Sequence, residues 1–431
     1  MRNVTSAIEH SLYRARTPEG ADCPELEGTV SADVVIIGAG FTGLSAALEL
    51  AEKGTSVVVV EANDIGWGAS GRNGGQVNPG LKYDPSELVA KFGEERGGRL
   101  VAFVDKAPAS VFSLIERLKI DCAAVNAGTI RAVNAKGDPA PLERYMRDWT
   151  DRGAPVELVK GDRLAALTGT EEYVFAVVDR RGGQLNPLAY ARGLADAVIR
   201  RGGAIYVNSR VVGMKMDGSR RLVATARGAV RAERVIVATN GYSDDLVPRL
   251  RRSVVPVYTG IIATDPLPPE LRKTILPGRQ VLYESSWRVI YYRLDHEGRF
   301  LMGGPSPQRD AGRSDDYSRL TTLAAKLYPG LSRATWSHYW NGQVALTRDH
   351  LPHLHAPEPD VTVALGYNGR GIAMATALGA LAARRAAGMS ADDLDLPLSP
   401  IETYPFHAMW RLGVAVRRGY GALREKMGPV S

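Results

Sequence analysis

The residues with the clearest chemical meaning are a glycine run, Gly38-Ala-Gly40-Phe41-Thr42-Gly43. This G-x-G-x-x-G spacing suits a tight strand-to-helix turn that lays bare backbone against a pyrophosphate. Gly38 permits the turn, Gly40 lets phosphate oxygens approach, and Gly43 lets helix and strand pack closely. The anion would sit at a helix N-terminus, where unpaired N–H groups and the helix dipole favour negative charge. Glu61, followed by Ala62, ends the next apolar run. A carboxylate there accepts hydrogen bonds from a ribose diol and disfavours a 2′-phosphate. These residues predict a dinucleotide site without separating a nicotinamide from a flavin.

A second glycine cluster makes the separation. In Gly66-Trp-Gly68-Ala69-Ser70-Gly-Arg72-Asn73-Gly74-Gly75 five of ten residues are glycine, and Gln76 follows. Trp67, Arg72, Asn73 and Gln76 supply hydrogen-bonding groups amid bare backbone, which suits the face or edge of a flat tricyclic ring. The run is no serine-hydrolase elbow, because G-x-S-x-G would need glycine where Arg72 stands. A third cluster, Gly369-Arg370-Gly371-Ile372, opens an alanine-rich segment.

The elements that must carry these clusters read as follows. Residues 33–37 and 56–60 are short β-branched runs suited to buried parallel strands. Between them residues 42–53 read as a helix ended by Gly54. Residues 1–30 read as an irregular lead-in, 85–120 and 188–201 as helical, and 204–214, 233–238 and 361–365 as strands. Residues 254–305 carry the Val, Ile, Tyr and Phe of antiparallel strands, with a turn at 295–298. The expected fold is α/β: a Rossmann-like, glutathione-reductase-type dinucleotide domain with an inserted antiparallel-sheet α+β substrate domain. The first would take residues 30–85, 180–250 and 340–395, and the second residues 86–179 and 251–339. Residues 396–431 form a helical tail.

Composition narrows the function classes. The chain has 431 residues, 45% hydrophobic, ample for a large core. Its net charge of +7 comes from interspersed signs, with no nucleic-acid-binding signature, so no nucleic-acid partner is expected. Cys23 and Cys122 are the two cysteines, which argues against a disulfide framework, an iron–sulfur cluster or a cysteine zinc site. No apolar run reaches the roughly 18 residues of a membrane span, and residues 1–12 do not read as a signal peptide, so a cytoplasmic location is expected. Pro352 interrupts the histidines of Asp349-His-Leu-Pro-His-Leu-His355, and no metal site is expected. The tail carries Arg411, Arg417, Arg418, Arg424 and Lys426. It reads as a helix packed on its own domain, with weak contact to a membrane surface as the alternative.

The glycine fingerprint, Glu61 and the run from Gly68 to Gln76 resemble the D-amino-acid-oxidase-type FAD-dependent oxidoreductases, in the branch similar to gamma-glutamylputrescine oxidase and related amine oxidases. Ala238-Thr239-Asn240-Gly241-Tyr242, Val255-Pro256, Ile262-Ala-Thr264, the stretch from Arg293 to Gly304 and Gly366-Tyr-Asn-Gly369-Arg370-Gly371 extend the likeness over about residues 30–390. The resemblance implies non-covalent FAD, held also by Val211 and residues 239–241, with its ring at the junction of the two domains. It implies oxidation of an amine or amino acid to an imine, hydrolysis of that imine, and transfer of electrons to molecular oxygen. It also sets the start of the helix at 369–372 against the flavin pyrimidine edge. Hydride addition leaves negative charge there, and a helix N-terminus contributes about 0.3–2 kcal/mol toward such an anion.

Hydride transfer from a neutral amine depends on positioning more than on a strong base. Tyr291, Tyr292 and His338 are the candidates for the substrate side, with Tyr258, Arg293 and Trp340 beside them. Arg299 is the candidate cation for oxygen activation. Ala373 stands where sarcosine-oxidase-type relatives place a lysine, which argues against simple N-methylglycine. Two other readings stay open: a dehydrogenase feeding a quinone or carrier protein, and a non-catalytic FAD-binding subunit of a hetero-oligomer.

Overall fold

The computed structural model describes residues 7–135, 137–285 and 289–427. Its organising strand is Gly28–Ile37, whose last four residues are all buried. A β-branched run covered on both faces belongs in the middle of a parallel sheet. Val57–Val60 and Gly228–Val237 flank it, both parallel. Ala204–Tyr206 and Val361–Leu365 extend the sheet in the same direction, and His353–Glu358 closes one edge antiparallel. A hairpin of Gly213–Asp217 and Arg220–Ala224 completes the eight strands.

The helix Phe41–Ala51 leaves the central strand through the first glycine run and is buried along almost its whole length. A Cβ on Gly43 would lie 1.9 Å from the Gly38 carbonyl oxygen, so helix and turn meet there only without a side chain. The helix Gly371–Ala386 packs beside it. A Cβ on Gly379 would lie 2.4 Å from the Thr42 carbonyl oxygen, which measures how closely the two helices approach. Pro187–Arg200 and Glu94–Leu118 enclose the same core.

The second sheet also has eight strands. Its order runs Trp336–Leu346, Val255–Thr264, Phe300–Pro305, Tyr291–Leu294, Val281–Glu284, Thr129–Asn134, Tyr173–Asp179 and Val156–Lys160. All neighbours are antiparallel except Val281–Glu284 beside Thr129–Asn134. In this sheet Tyr291 lies opposite both Gly303 and Tyr283, and Tyr283 lies opposite Arg131. One row of positions therefore crosses four strands on one face, with side chains at Tyr291, Tyr283 and Arg131.

Three expectations need correction. The lead-in is not irregular throughout: residues 12–16 form a short helix that buries Leu12 and Tyr13. Residues 204–214 are not one strand, because the chain turns at Asn208, which has a left-handed φ of 50°. Its amide donates to the Asn63 carbonyl instead of a neighbouring strand. The tail forms the helix Trp410–Met427, but Leu412, Val416 and Tyr420 stay exposed, so it does not bury an apolar face on its own domain. The side chains of Arg418, Arg424 and Lys426 lie outside the described residues. Among the described residues no helix is long and apolar enough to cross a membrane.

The Gly43 contact is testable. Gly43→Ala should destabilise the chain by about 1–3 kcal/mol or more through overpacking against the Gly38 carbonyl, read as a lower denaturant midpoint. Gly54→Ala serves as the comparison: its φ of 77° carries strain, but nothing lies within 4 Å of its added Cβ.

Candidate functional site

A cavity of about 2730 Å³ opens between the two sheets. It lies at the C-terminal ends of the parallel strands, the expected crevice for a ligand in such a sheet. Gly38, Gly40, Phe41 and Thr42 line one end. Glu61 and Ala62 also line the cavity, as do Val211, Thr239 and Asn240, and the Thr239 backbone lies close to Gly38. Gly43 and Gly241 do not line it. Gly43 serves the packing just described, and Gly241 lies over Ala345.

Glu61 is organised from below. Its Oε2 accepts from the Ala39 amide at 2.8 Å and its Oε1 from the Asn63 amide at 2.9 Å. Burial pushes its carboxyl up, and the same backbone amides oppose that shift. Each oxygen keeps a lone pair for a diol. The fit to an ADP half is good: glycine backbone at a helix N-terminus, and a carboxylate at the end of the next strand.

The glycine-rich loop at 66–76 forms the middle wall. Gly68, Ala69, Ser70, Arg72, Asn73, Gly74 and Gln76 line the cavity. The loop is not floppy. The Arg72 Nε donates to the Trp67 carbonyl at 2.8 Å, and its guanidinium lies 4.3 Å from the Trp67 ring centre. The Asn73 amide reaches the carbonyls of Ala69 and Ser70. The second sheet holds the loop from behind. Trp340 Nε1 donates to the Arg72 carbonyl at 2.9 Å, and Arg293 Nε donates to the Gly74 carbonyl at 2.8 Å. Gln76 bonds the carbonyls of Leu282 and Tyr292. Gly75 faces away from the cavity, where a Cβ would meet the Leu185 carbonyl at 2.3 Å.

The third cluster closes the site. Gly369, Arg370, Gly371 and Ile372 line the cavity at the start of a long helix. Asn368 fixes the turn before it in a left-handed conformation, and its side chain accepts from the Thr347 amide at 3.0 Å. Arg370 is buried, donates to the Tyr283 hydroxyl at 2.9 Å, and keeps its Nε without a partner. The Arg72 Nη2 is likewise buried without a partner. Both arginines line the same cleft, and each keeps one buried guanidinium nitrogen without a hydrogen-bond partner.

Among the candidate catalytic residues, Tyr291 alone reaches the cavity. Its ring lies against backbone on two sides: a Cβ on Gly74 would sit 2.5 Å from it and one on Gly303 2.1 Å. Burial holds its phenol well above the ordinary tyrosine value, so it stays neutral. Tyr292, one residue on, faces the opposite side of the sheet, as strand alternation requires. It bonds Tyr173 and Tyr328 in a buried trio. Arg293 and Trp340 support the loop rather than face the cavity. Tyr258 bonds Gln343.

Arg299 and His338 lie off the cavity altogether. The Arg299 guanidinium pairs with Asp295 and Glu297 beside the turn, and His338 is held neutral by burial and by the nearby Arg299 charge. Neither placement suits contact with a ring in the cavity. His353 bonds Asp349 and Ser399, and His355 bonds the Ser399 carbonyl. These contacts tie the edge strand His353–Glu358 to the segment at Ser399, and among the described residues no cluster suits a metal ion.

Sequence reading missed Lys82, Arg131, Tyr283 and Arg417, all of which line the cavity. They come from separate segments, and no local pattern joins them.

Comparison with known proteins agrees with this geometry. The model of the FAD dependent oxidoreductase family matches residues 33–385. Gamma-glutamylputrescine oxidoreductase of Escherichia coli (strain K12) is 32% identical over 424 residues, 97% of this chain and 98% of that protein. Among solved structures, glycine oxidase from Geobacillus kaustophilus superposes with a TM-score of 0.68 at 24% identity, covering 87% of this chain and 98% of that one. L-amino acid deaminase from Proteus myxofaciens gives 0.71 at 17% identity, covering 87% and 94%. At these identities the two structures speak to fold.

The two arginines of the second sheet separate by experiment. Arg293→Met should weaken FAD retention at least about tenfold, because it releases the loop carbonyl at Gly74. Arg299→Met should leave flavin reoxidation by oxygen within twofold of wild type. It should cost about 2 kcal/mol of stability, below the full value for a deep ion pair, since Glu297 reaches solvent. A large fall in the reoxidation rate of Arg299→Met would contradict this assignment.

Proposed function

The chain belongs to the FAD dependent oxidoreductase family, and from that premise we propose that it oxidises the carbon beside the nitrogen of an amine or amino acid. The observation that carries the reading is the meeting of three features at one cavity: the loop at 66–76, the helix start at 369–372, and the Tyr291 ring packed on Gly74. The names of relatives point the same way. Gamma-glutamylputrescine oxidoreductase and the glycine oxidases are matched over most of this chain.

FAD, when bound, supplies the hydride acceptor. The chain's own residues position the amine and keep water out. Tyr291 and the Gly74 backbone form a neutral, closely packed wall, which suits a neutral amine better than a cation. The substrate nitrogen gives up its proton as the carbon loses hydride, which leaves an imine. Water then hydrolyses the imine to a carbonyl compound and an amine or ammonia. The geometry does not call on a strong general base, since orientation can supply much of the rate.

We assign the FAD as non-covalent and the electron acceptor as molecular oxygen, giving hydrogen peroxide. Neither Cys23 nor Cys122 lines the cavity, and burial pushes the Cys122 thiol up to about 12, away from thiolate chemistry. Acid precipitation should therefore leave the yellow colour in the supernatant.

Anaerobic mixing of the FAD-loaded protein with a panel of amines and amino acids tests the reaction. At least one should bleach the visible flavin band in a saturable way, and admitting air should restore it with one peroxide per imine. If no amine bleaches the flavin, the reading is wrong. Bleaching that air does not reverse would replace oxygen by a quinone or carrier protein.

A further inference from the structure

The N-terminal segment passes behind the glycine-rich loop, away from the cavity. It consists of the one-turn 3-10 helix Ala7–His10 and the short helix Leu12–Arg16. It precedes the stretch matched by the family model, which begins at residue 33. Both ends of this strap are tied. The Ala7 amide donates to Asp310 at 3.0 Å, and the His10 ring stacks on Tyr339 with centres 5.0 Å apart. At the other end Asn186 donates to the Thr17 hydroxyl at 2.9 Å, and Arg192 to the Thr17 carbonyl at 3.1 Å. Tyr339 lies on the strand Trp336–Leu346 of the second sheet. Asn186 and Arg192 belong to the cap and body of the helix Pro187–Arg200, on the parallel-sheet side. The strap therefore joins the two halves of the molecule.

One strap side chain reaches both supports of the loop. Tyr13 is buried in a small cluster with Leu12, Leu188, Ile261, Leu301 and Trp340, and Tyr291 packs against the same cluster. The Tyr13 hydroxyl accepts from Arg293 Nη2 at 3.1 Å. Its ring meets Trp340 edge-on, with centres 5.2 Å apart. Arg293 and Trp340 are the side chains that hold the Gly74 and Arg72 carbonyls.

Arg293 is buried and, among the described residues, forms no ion pair. Dipoles meet its charge instead: the carbonyls of Gly74 and Leu185, the Gln184 side chain and the Tyr13 hydroxyl. Burial holds the Tyr13 phenol above the ordinary tyrosine value against the pull of the Arg293 charge, so it stays a neutral acceptor. The Leu185 carbonyl also accepts from Arg293 Nη2, at 3.3 Å. That nitrogen carries two hydrogens, so the two acceptors are not redundant. A buried guanidinium that loses an acceptor keeps an unsatisfied donor, which costs free energy unless the group turns to a new partner. Turning would take its Nε off the Gly74 carbonyl, on the stretch of loop where the Tyr291 ring packs.

We infer that Tyr13 is a positioning residue for the cofactor wall: its hydroxyl sets Arg293, its ring sets Trp340, and through them the N-terminal strap fixes the loop at 66–76. The inference rests on that loop as a wall of the FAD site. It does not depend on which substrate is oxidised. A tyrosine that only filled space would behave differently. Its replacement by phenylalanine would keep the packing, and any small loss would be independent of Arg293.

Titration of the FAD-free full-length protein with FAD, read by flavin fluorescence, tests this without turnover. Tyr13→Phe should raise the FAD dissociation constant about fivefold or more. Tyr13→Leu, which also removes the ring from Trp340, should raise it about threefold further. In an Arg293→Met background Tyr13→Phe should change the constant by less than about twofold, because the two side chains act as one unit. Limited trypsin digestion of the FAD-free protein gives a second reading that needs no Arg293 variant. Arg72 in the loop and Arg221 in the distant hairpin are equally buried, each 5% exposed. Tyr13→Phe should speed cleavage after Arg72 about fivefold and leave cleavage after Arg221 unchanged. An FAD dissociation constant for Tyr13→Phe within about twofold of wild type would overturn the inference. So would an effect that adds in full to Arg293→Met, or an equal rise in cleavage at both arginines. Failure of every amine to bleach the flavin would overturn the amine reading and leave this inference standing.

Discussion

The loop at 66–76 is the point at which the two sheets act on each other. It belongs in sequence to the parallel-sheet half, yet its backbone carbonyls are held by the other half. Trp340 reaches the Arg72 carbonyl, Arg293 the Gly74 carbonyl, and Gln76 ties it to two neighbouring strands. Buried donors of this kind cost free energy when unpaired, so the loop and the second sheet constrain each other. A glycine-rich segment gives up much conformational entropy on ordering, and this network offsets that loss. The middle wall of the cavity then takes its position from a loop that two layers have fixed.

Charge is distributed to match. The dinucleotide end offers Glu61 and backbone amides, and the middle offers the Tyr291 ring, kept neutral by burial. Arg293 and Arg299 lie six residues apart and are both buried, but they do different work. Arg293 bonds the loop, Gln184, Leu185 and Tyr13, whereas Arg299 pairs with the acids of its own turn. The C-terminal helix stands against the cavity with several large apolar side chains exposed, and its Arg417 is among the lining residues.

Much of this was legible from local sequence because the information is local. Gly38 and Gly43 have to be glycine for reasons set within one turn, and Glu61 follows from the strand that comes next. The loop from Gly68 to Gln76 and the start at Gly369 carry their own backbone chemistry. The catalytic candidates were less legible because a side chain's face depends on register. Tyr291 and Tyr292 are adjacent and identical in type, and only strand pairing shows that one lines the cavity while the other joins a buried trio. Arg299 and His338 sit near the site in sequence terms, but the turn that carries Arg299 and the strand that carries His338 point them elsewhere. Lys82, Arg131 and Arg417 were invisible for a different reason: their meaning comes from convergence of segments more than forty residues apart.

The central claim is that the ring of the cofactor lies between the loop at 66–76 and the helix start at 369–372, in contact with Tyr291. A crystal structure of the chain loaded with FAD measures this directly. The account predicts the ring there, with its pyrimidine edge toward residues 369–372 and the phosphates at Gly38 to Gly43. A ring bound outside these two segments, or a cavity that takes up no FAD at saturating concentration, would contradict it.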